Sequence, residues 1–548
     1  MTQPLLQVTG LERSAADVRL PSLVYGWPVL CTLSHGEVLE IEPGDIQRNK
    51  GVLAVLTADS PLIGEASRFS GLLRALLTPT VTQSGQVVAL VLAETRQLAQ
   101  TAAAQISLRV RAETAALTVS AALSAGQTEP PLRLNSGQAA ESLLGARTFL
   151  KQTYRTASRL LGSPVRGVAT AVWRGDALTV FAVGQPDPEL ASLLHLSQDK
   201  LLMVMSAVGA DAGDGQLSSL LASIAAAHLD RPVRVELPAV SLRKMVAETV
   251  QTLQLGLGSG DRPLAMLLHG AVGCPIEDRA AVQTVMDLAT IYGFAHNEVS
   301  LVPLRLHLPS ETRRGGPSGW HELSFSCEVA IDELAAQLGI DPLLLRQRWI
   351  GEGATGEGAT LLACLKHINQ VGGRGQAGES PPATSRDTSI RIGRGFASAV
   401  HRTESGIRLF GAHSVEVAVV DGRIELSRHF CALGVRPSLA SPESMSVVLR
   451  ALEQARRLAL RSELAMMTRT GWTARTDDSA GRSASVPQCE VTFVSLPADA
   501  LPVVGSDELA RLAVSGVAAS VVNALSAALG TRLRSLPPGI RVSPSGVK

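Results

Sequence analysis

The stretch CEVAIDELAAQLGIDPLLLRQRWIGEG, residues 327 to 353, constrains the fold most tightly because it carries its own punctuation. Ile331, Leu334, Ala335 and Leu338 recur at helical spacing, which gives a helix one apolar face. Gly339 can take the left-handed C′ position that ends such a helix, and Asp341 followed by Pro342 supplies the N-cap and first position of the next. The reading is helix, sharp turn, helix.

A chain of 548 residues is too long for one core, and at about 150 residues per domain it suggests roughly three or four. Lys and Arg total 50 against 49 Asp and Glu. That balance leaves no global field to attract nucleic acid or an anionic membrane. Hydrophobic residues make up 45% but aromatics only 3%, so the interior must be built mainly from Ala, Leu and Val. No uninterrupted apolar run reaches about 18 residues, and the opening MTQPLLQ lacks the basic and apolar regions of a secretory signal. A cytoplasmic protein without a membrane partner is expected. Cys31, Cys274, Cys327, Cys364, Cys431 and Cys489 are scattered with no CxxC, which argues against a zinc site, an iron–sulfur cluster within this chain or a disulfide scaffold. Cys364 and His367 share a helix face, but two ligands without a partner pair read as core and surface residues.

Residues 1–112 read as a mixed α/β unit. Within it, Val87 to Leu92 is an apolar strand, Glu94 to Gln105 a helix and Ile106 to Val110 an alternating strand. Residues 113–150 turn to Ala, Thr, Ser, Gln and Pro and read as a connector. In 151–350, Ala171 to Trp173 and Leu178 to Val183 flank the turn Arg174, Gly175, Asp176, a hairpin signal, and Asp187 with Pro188 opens a helix. Residues 351–389 are rich in Gly, Ser and Pro and read as a flexible linker, with a helical turn or two at LLACLKHI. The last body, 390–548, contains GRGFASAVHRT, a hairpin around Asp421 and Gly422, and a final helix from Val517 to Leu529 ended by Gly530.

Four blocks together resemble the molybdenum-cofactor-binding large subunit of the xanthine dehydrogenase/aldehyde oxidase family. Val8, Thr9, Gly10, Ala16, Asp17, Leu20 and Pro21 match an opening of the form VTG…ADxxLP, and the match is dense from Tyr154 to Val208. The DELA block is the third and the tail NALSAALGTRLRSLP, from Asn523, the fourth. The resemblance implies an α+β chain: an N-terminal α/β hammerhead domain followed by two mixed α/β molybdenum-cofactor-binding-type domains. It also implies a molybdopterin cofactor, in its dinucleotide form, whose metal takes no protein side chain. The implied reaction is oxidative hydroxylation of a small-molecule aldehyde or N-heterocycle by way of a glutamate base. Iron–sulfur and FAD centres would have to come from partner subunits, since this chain encodes neither, and an active large-subunit homologue is a further candidate partner.

The resemblance transfers residue by residue. Gln185 matches a glutamine whose amide can hydrogen-bond an oxygen on the metal, though a loop glutamine closing a strand end explains it equally. A glycine-rich phosphate loop should follow Val208. Here the segment reads GADAGDG, keeping Gly209, Gly213 and Gly215, losing a phenylalanine and gaining Asp211 and Asp214, before a helix expected from Gln216 to His228. Gly315 and Gly316 fit a substrate-side loop in which Arg314 replaces an aromatic. Glu443 falls near an expected glutamine after Gly434 and Pro437. The base matches Glu508 in Gly505, Ser506, Asp507, Glu508 when a few extra residues are allowed before Asn523, whereas a gapless count puts Arg511 or a neighbour there; Ser506 as N-cap with two acids in the first turn is also ordinary helix chemistry. Two readings follow: a molybdenum-cofactor-dependent oxidoreductase subunit, or a catalytically silent homologue serving assembly of such a complex.

Overall fold

The computed structural model describes residues 15–69, 71–161, 167–182, 187, 189–205, 212–238, 244–246, 248–273, 280–308, 321–373, 390–403, 405–420, 423–437, 445, 448–449, 451–453, 455–456, 459, 464–468, 471–475, 488–494, 501–537, 542–543 and 546–547.

The N-terminal part lays down β1 (Val24–Cys31), β2 (Gly36–Glu42), β3 (Val52–Leu56), β4 (Thr80–Val81), β5 (Gln86–Ala93), helix α1 (Arg96–Gln105) and β6 (Ser107–Ala112). The strand, helix and strand read from residues 87 to 110 are β5, α1 and β6. Thr95 starts α1 by accepting from Leu98 N, and Ala99, Ala102 and Ala103 are its buried face. Small apolar residues let this helix lie close on the sheet.

Residues 113–150, expected as a connector, instead contain α2 (Val119–Ser124), β7 (Leu132–Ser136), α3 (Ala139–Leu143) and the start of β8 (Thr148–Thr156). Leu132 and Leu134 alternate on β7, enough to pack one face in a ladder whose partner lies far along the chain. The expected hairpin forms as β9 (Gly167–Arg174) and β10 (Ala177–Ala182), with Arg174 opposite Ala177 and Gly175 at φ +65 in the turn. Next come β11 (Leu201–Met205), helix α4 (Ala212–Leu229) and β12 (Val233–Leu237). These strands join the N-terminal ones in a seven-stranded sheet of order β11-β10-β9-β12-β1-β5-β3. The body expected to begin at 151 therefore shares a sheet and a core with the N-terminal unit: Val24, Leu90 and Leu92 pack in one cluster with Ala169, Val180, Leu221 and Val235.

A second sheet holds β8, β13 (Thr249–Leu257), β14 (Pro263–Val272), β15 (His296–Pro303) and β7, with helix α5 (Ala280–Ile291) joining the parallel pair β14 and β15. The punctuated stretch then folds as read. Helix α6 (His321–Leu338) ends at Gly339, φ +68, and Asp341 caps α7 (Pro342–Ile350) by accepting from Leu343 N and Leu344 N, both at 2.9 Å. Within 351–389, expected as a linker, residues 356–373 form a full helix, α8 (Gly356–Gly373), with Leu361, Cys364, Leu365 and Ile368 buried on one face.

The last body is a four-stranded sheet of β16 (Ile390–Arg402), β17 (Arg408–Val420), β18 (Arg423–Leu433) and, beyond the short β19 (Arg436–Pro437), β20 (Gln488–Phe493). Val420 opposite Arg423 fixes the expected hairpin. Then follow β21 (Val503–Val504), α9 (Ser506–Val514), α10 (Val517–Leu529) and β22 (Ser535–Leu536), which returns to pair with β8 in the second sheet. Helix α10 presses its backbone on β16: a Cβ at Gly395 would stand 2.2 Å from Ala524 N and from Ser520 O. Residues 508–529 are long and apolar enough to cross a membrane, but 89% of that apolar window is buried inside the protein. The window is core.

Candidate functional site

Strands β10 and β11 are parallel, so their carboxyl ends lie at one edge of the seven-stranded sheet, and α4 starts there. Edges of this kind collect ligands in α/β sheets because loops and helix N-termini converge on them. The segment after β10 is tied to the start of α4. Asp187 Oδ1 accepts from Glu189 N at 3.0 Å, while its Oδ2 accepts from Gln216 Nε2 at 3.2 Å. Gln185 and Gly209 lie outside the described residues. Gly213 and Gly215 fall in the first turn of α4, which starts at Ala212 rather than at Gln216 as expected. The N–H groups of that turn have no intrahelical acceptor.

Gln216 itself was read only as the first residue of that helix. It is 4% exposed, and its Oε1 has no hydrogen-bond partner among the described residues. A buried acceptor of this kind carries an unmet desolvation cost and suits a ligand that offers N–H or O–H donors. A pterin offers such donors, so this end of the site fits the implied cofactor.

In the last body, β19 and β21 pair in parallel, with Arg436 opposite Val503 and Pro437 opposite Val504. Arg436 N donates to Pro502 O at 2.9 Å and Arg436 Nε to Leu501 O at 3.2 Å. The strand that precedes Glu443 in the chain is thereby held beside the strand that precedes Glu508, although 67 residues separate the paired positions. Glu443, Gly315 and Gly316 lie outside the described residues.

Glu508 is the third residue of α9. The N-cap is Gly505, not Ser506 as expected, because the Gly505 carbonyl accepts the first helical bond from Leu509 N at 3.0 Å. The Glu508 side chain is 25% exposed, and its Oε2 accepts from Nε2 of His401, whose side chain is 11% exposed at the end of β16. Burial lowers the proton affinity of His401, the bond and charge of Glu508 raise it, Arg511 lowers it again, and the net shift is downward. That shift favours the neutral imidazole. Glu508 Oε1 is without a partner among the described residues. His401 was missed in the sequence because a polar residue at a strand end has no spacing that announces a partner 107 positions away.

The most tightly bonded cluster is structural. Glu328, on α6 and fully buried, accepts from Tyr292 OH at 2.8 Å, from Ser398 N at 3.0 Å and from Arg346 Nε and Nη2 at 3.0 and 2.8 Å. Asn523 Nδ2 reaches Phe396 O at 3.0 Å, Arg532 binds Asp332 at 2.8 Å, and Arg534 Nε binds Glu333 at 3.1 Å. The DELA block and the C-terminal tail are therefore two halves of one joint. Among the described residues, no group of three His, Cys, Asp or Glu is arranged to hold a metal ion.

Comparison with known proteins agrees with this architecture. Residues 9–113 match the family model described as aldehyde oxidase and xanthine dehydrogenase, a/b hammerhead domain. Over 358 residues, 62% of the chain, it is 27% identical to the aldehyde oxidoreductase molybdenum-binding subunit PaoC of Escherichia coli K12. The chain spans about half the length of that relative, 48% of it. Its fold matches quinoline 2-oxidoreductase from Pseudomonas putida 86 with a TM-score of 0.81 at 14% identity, covering 99% of this chain and 96% of that one. It matches aldehyde oxidoreductase from Desulfovibrio gigas with a TM-score of 0.78 at 15% identity, covering 99% and 79%. Hammerhead match, curated relative and whole-chain fold agree: the chain carries an aldehyde oxidase and xanthine dehydrogenase hammerhead domain, is similar in sequence to a molybdenum-binding subunit, and shares the fold of these solved oxidoreductases.

Proposed function

We propose that this chain is the molybdenum-cofactor-binding subunit of an oxidoreductase that hydroxylates an aldehyde or an N-heterocycle. The observation that supports the reading is the β19–β21 pairing, which joins the strand preceding Glu443 in the chain to the strand preceding Glu508, as a site assembled from distant segments requires. Molybdopterin, in its dinucleotide form, would be held by Gln185, Gln216, the backbone of Gly209, Gly213 and Gly215, the Gly315 and Gly316 loop, and Glu443. When bound, that group supplies the acceptor for two electrons.

This chain's own part is positioning and one proton. Glu508 is the base: a carboxylate held at the start of a helix, with Oε2 engaged by His401 and Oε1 left to take the proton. Electrons would leave through iron–sulfur and FAD subunits. The enzyme, purified with its partners, should reduce a dye with an aldehyde or a purine. Glu508→Gln should lower kcat by about 100-fold or more at unchanged melting temperature. Equal turnover in that variant would remove Glu508 from the mechanism.

A second reading, a catalytically silent assembly homologue, has one observation in its favour. Asp211 and Asp214 put negative charge in the segment where cofactor phosphates would lie. A well-folded complex without molybdenum would support it.

A further inference from the structure

We infer that His401 is a positioning residue for Glu508, selecting which of the two carboxylate oxygens is left to take a proton. This rests on the reading of Glu508 as the base.

A neutral imidazole facing a carboxylate has one way to bond it: its single proton sits on Nε2 and is donated to Glu508 Oε2. Among the described residues, the charged groups that face His401 are Glu508 and Arg511, both on α9. The donor is held by more than its own bond. On one side of it, Val400 N donates to Ser515 Oγ at 3.2 Å, and the same hydroxyl donates to Val400 O at 3.0 Å. On the other side, Arg402 grips Asp287 through Nε at 2.8 Å and Nη2 at 2.6 Å.

Ser515 is the C-cap of α9, and Glu508 lies in the first turn of the same helix. Helix α9 is therefore fastened to two neighbouring residues of β16, by its end to Val400 and by its beginning to His401. A side chain on a first turn ordinarily samples several rotamers. Here the hydrogen bond fixes one carboxylate orientation before substrate arrives, which is what a base needs if its proton is to be within reach. Gln can place an amide N–H near the position of imidazole Nε2, whereas Phe fills the same volume without a donor.

The test uses the full chain with its partners and three variants. His401→Phe should lower kcat at least tenfold while KM, molybdenum content and melting temperature stay within twofold or unchanged. His401→Gln should recover most of the loss. In a histidine-15N spectrum of the chain, His401 should show the Nε2–H tautomer with slow solvent exchange, and that signal should broaden in Glu508→Ala. Wild-type kcat in His401→Phe, or a His401→Gln protein as slow as His401→Phe, overturns the proposal. So does an Nδ1–H tautomer, or a signal indifferent to Glu508→Ala. If the complex turns over nothing at all, the base reading fails by itself, and the imidazole signal still decides whether His401 holds Glu508.

Discussion

Arg346 and Glu328 form an ion pair in which both side chains are completely shielded from solvent, with two guanidinium nitrogens on Glu328 Oε2 at 2.8 and 3.0 Å. Burying two charges is expensive, and the pair persists because each remaining polar atom also has a partner. Tyr292 and Ser398 N complete the carboxylate, while Pro342 O and Glu328 O accept from the guanidinium. Removing one partner strands the other. Glu328→Gln should therefore cost about 3–5 kcal/mol in urea unfolding, and the double variant Glu328→Gln, Arg346→Met should cost less than Arg346→Met does with the carboxylate left alone.

Two buried imidazoles make stability depend on pH. His413 Nδ1 and His429 Nε2 stand 3.0 Å apart, with Cys489 Sγ 3.9 Å from the far nitrogen of His429 and Arg456 close enough to act on its charge. Burial holds His413 down to about 4 from the usual 6.5, and burial with the charges of His413 and Arg456 holds His429 well below that value. The unfolded chain thus binds protons that the folded chain refuses as pH falls from 6.5 towards 4, and stability is lost in that window. At pH 5 the loss is about 2 kcal/mol for His413, and His429 adds a loss of the same sign. Urea midpoints at pH 7.5 and 5.0 check it, and His413→Gln should show a shallower pH slope whatever its stability at pH 7.5.

How much of this was legible depended on distance along the chain. The α6–α7 corner was readable because Gly339, Asp341 and Pro342 act on residues next to them. The hairpins at Gly175 and at 421–422 and the ending of α10 at Gly530 were readable for the same reason. The sharing of one sheet by β1 and β12 was not: Val24 opposite Val233 is a pairing that leaves no local trace in either strand. The connector reading of 113–150 failed likewise, since β7 is a strand only because β15 is beside it. At the proposed site, the helix start that carries Glu508 was reachable from its turn, whereas the His401 contact to Glu508 and the Gln216 contact to Asp187 leave no pattern in the sequence.

Gly395 shows what the GRGFASAVHRT segment protects. Any side chain there meets the α10 backbone, Ala524 N and Ser520 O at 2.2 Å, and backbone cannot rotate away. Gly395→Ala should therefore destabilise by at least about 3 kcal/mol, the upper part of the range for overpacking, measured by thermal or denaturant unfolding. A near-neutral result would show that α10 does not lie against β16 as described.

The Asp187–Gln216 bond links the two segments expected to flank the cofactor. Gln216→Leu keeps the bulk, removes the buried acceptor and frees Asp187. The expected outcome is at least a tenfold fall in molybdenum content of the purified complex, with the circular dichroism melt of the protein close to wild type. A variant with full metal content would mean that this edge of the sheet does not contact the cofactor.

The central claim is that this scaffold still holds a molybdenum cofactor, and metal analysis of the intact complex tests it most directly. Inductively coupled plasma mass spectrometry of the chain co-purified with its partners should give near-stoichiometric molybdenum. A folded, fully assembled complex without molybdenum would contradict the account.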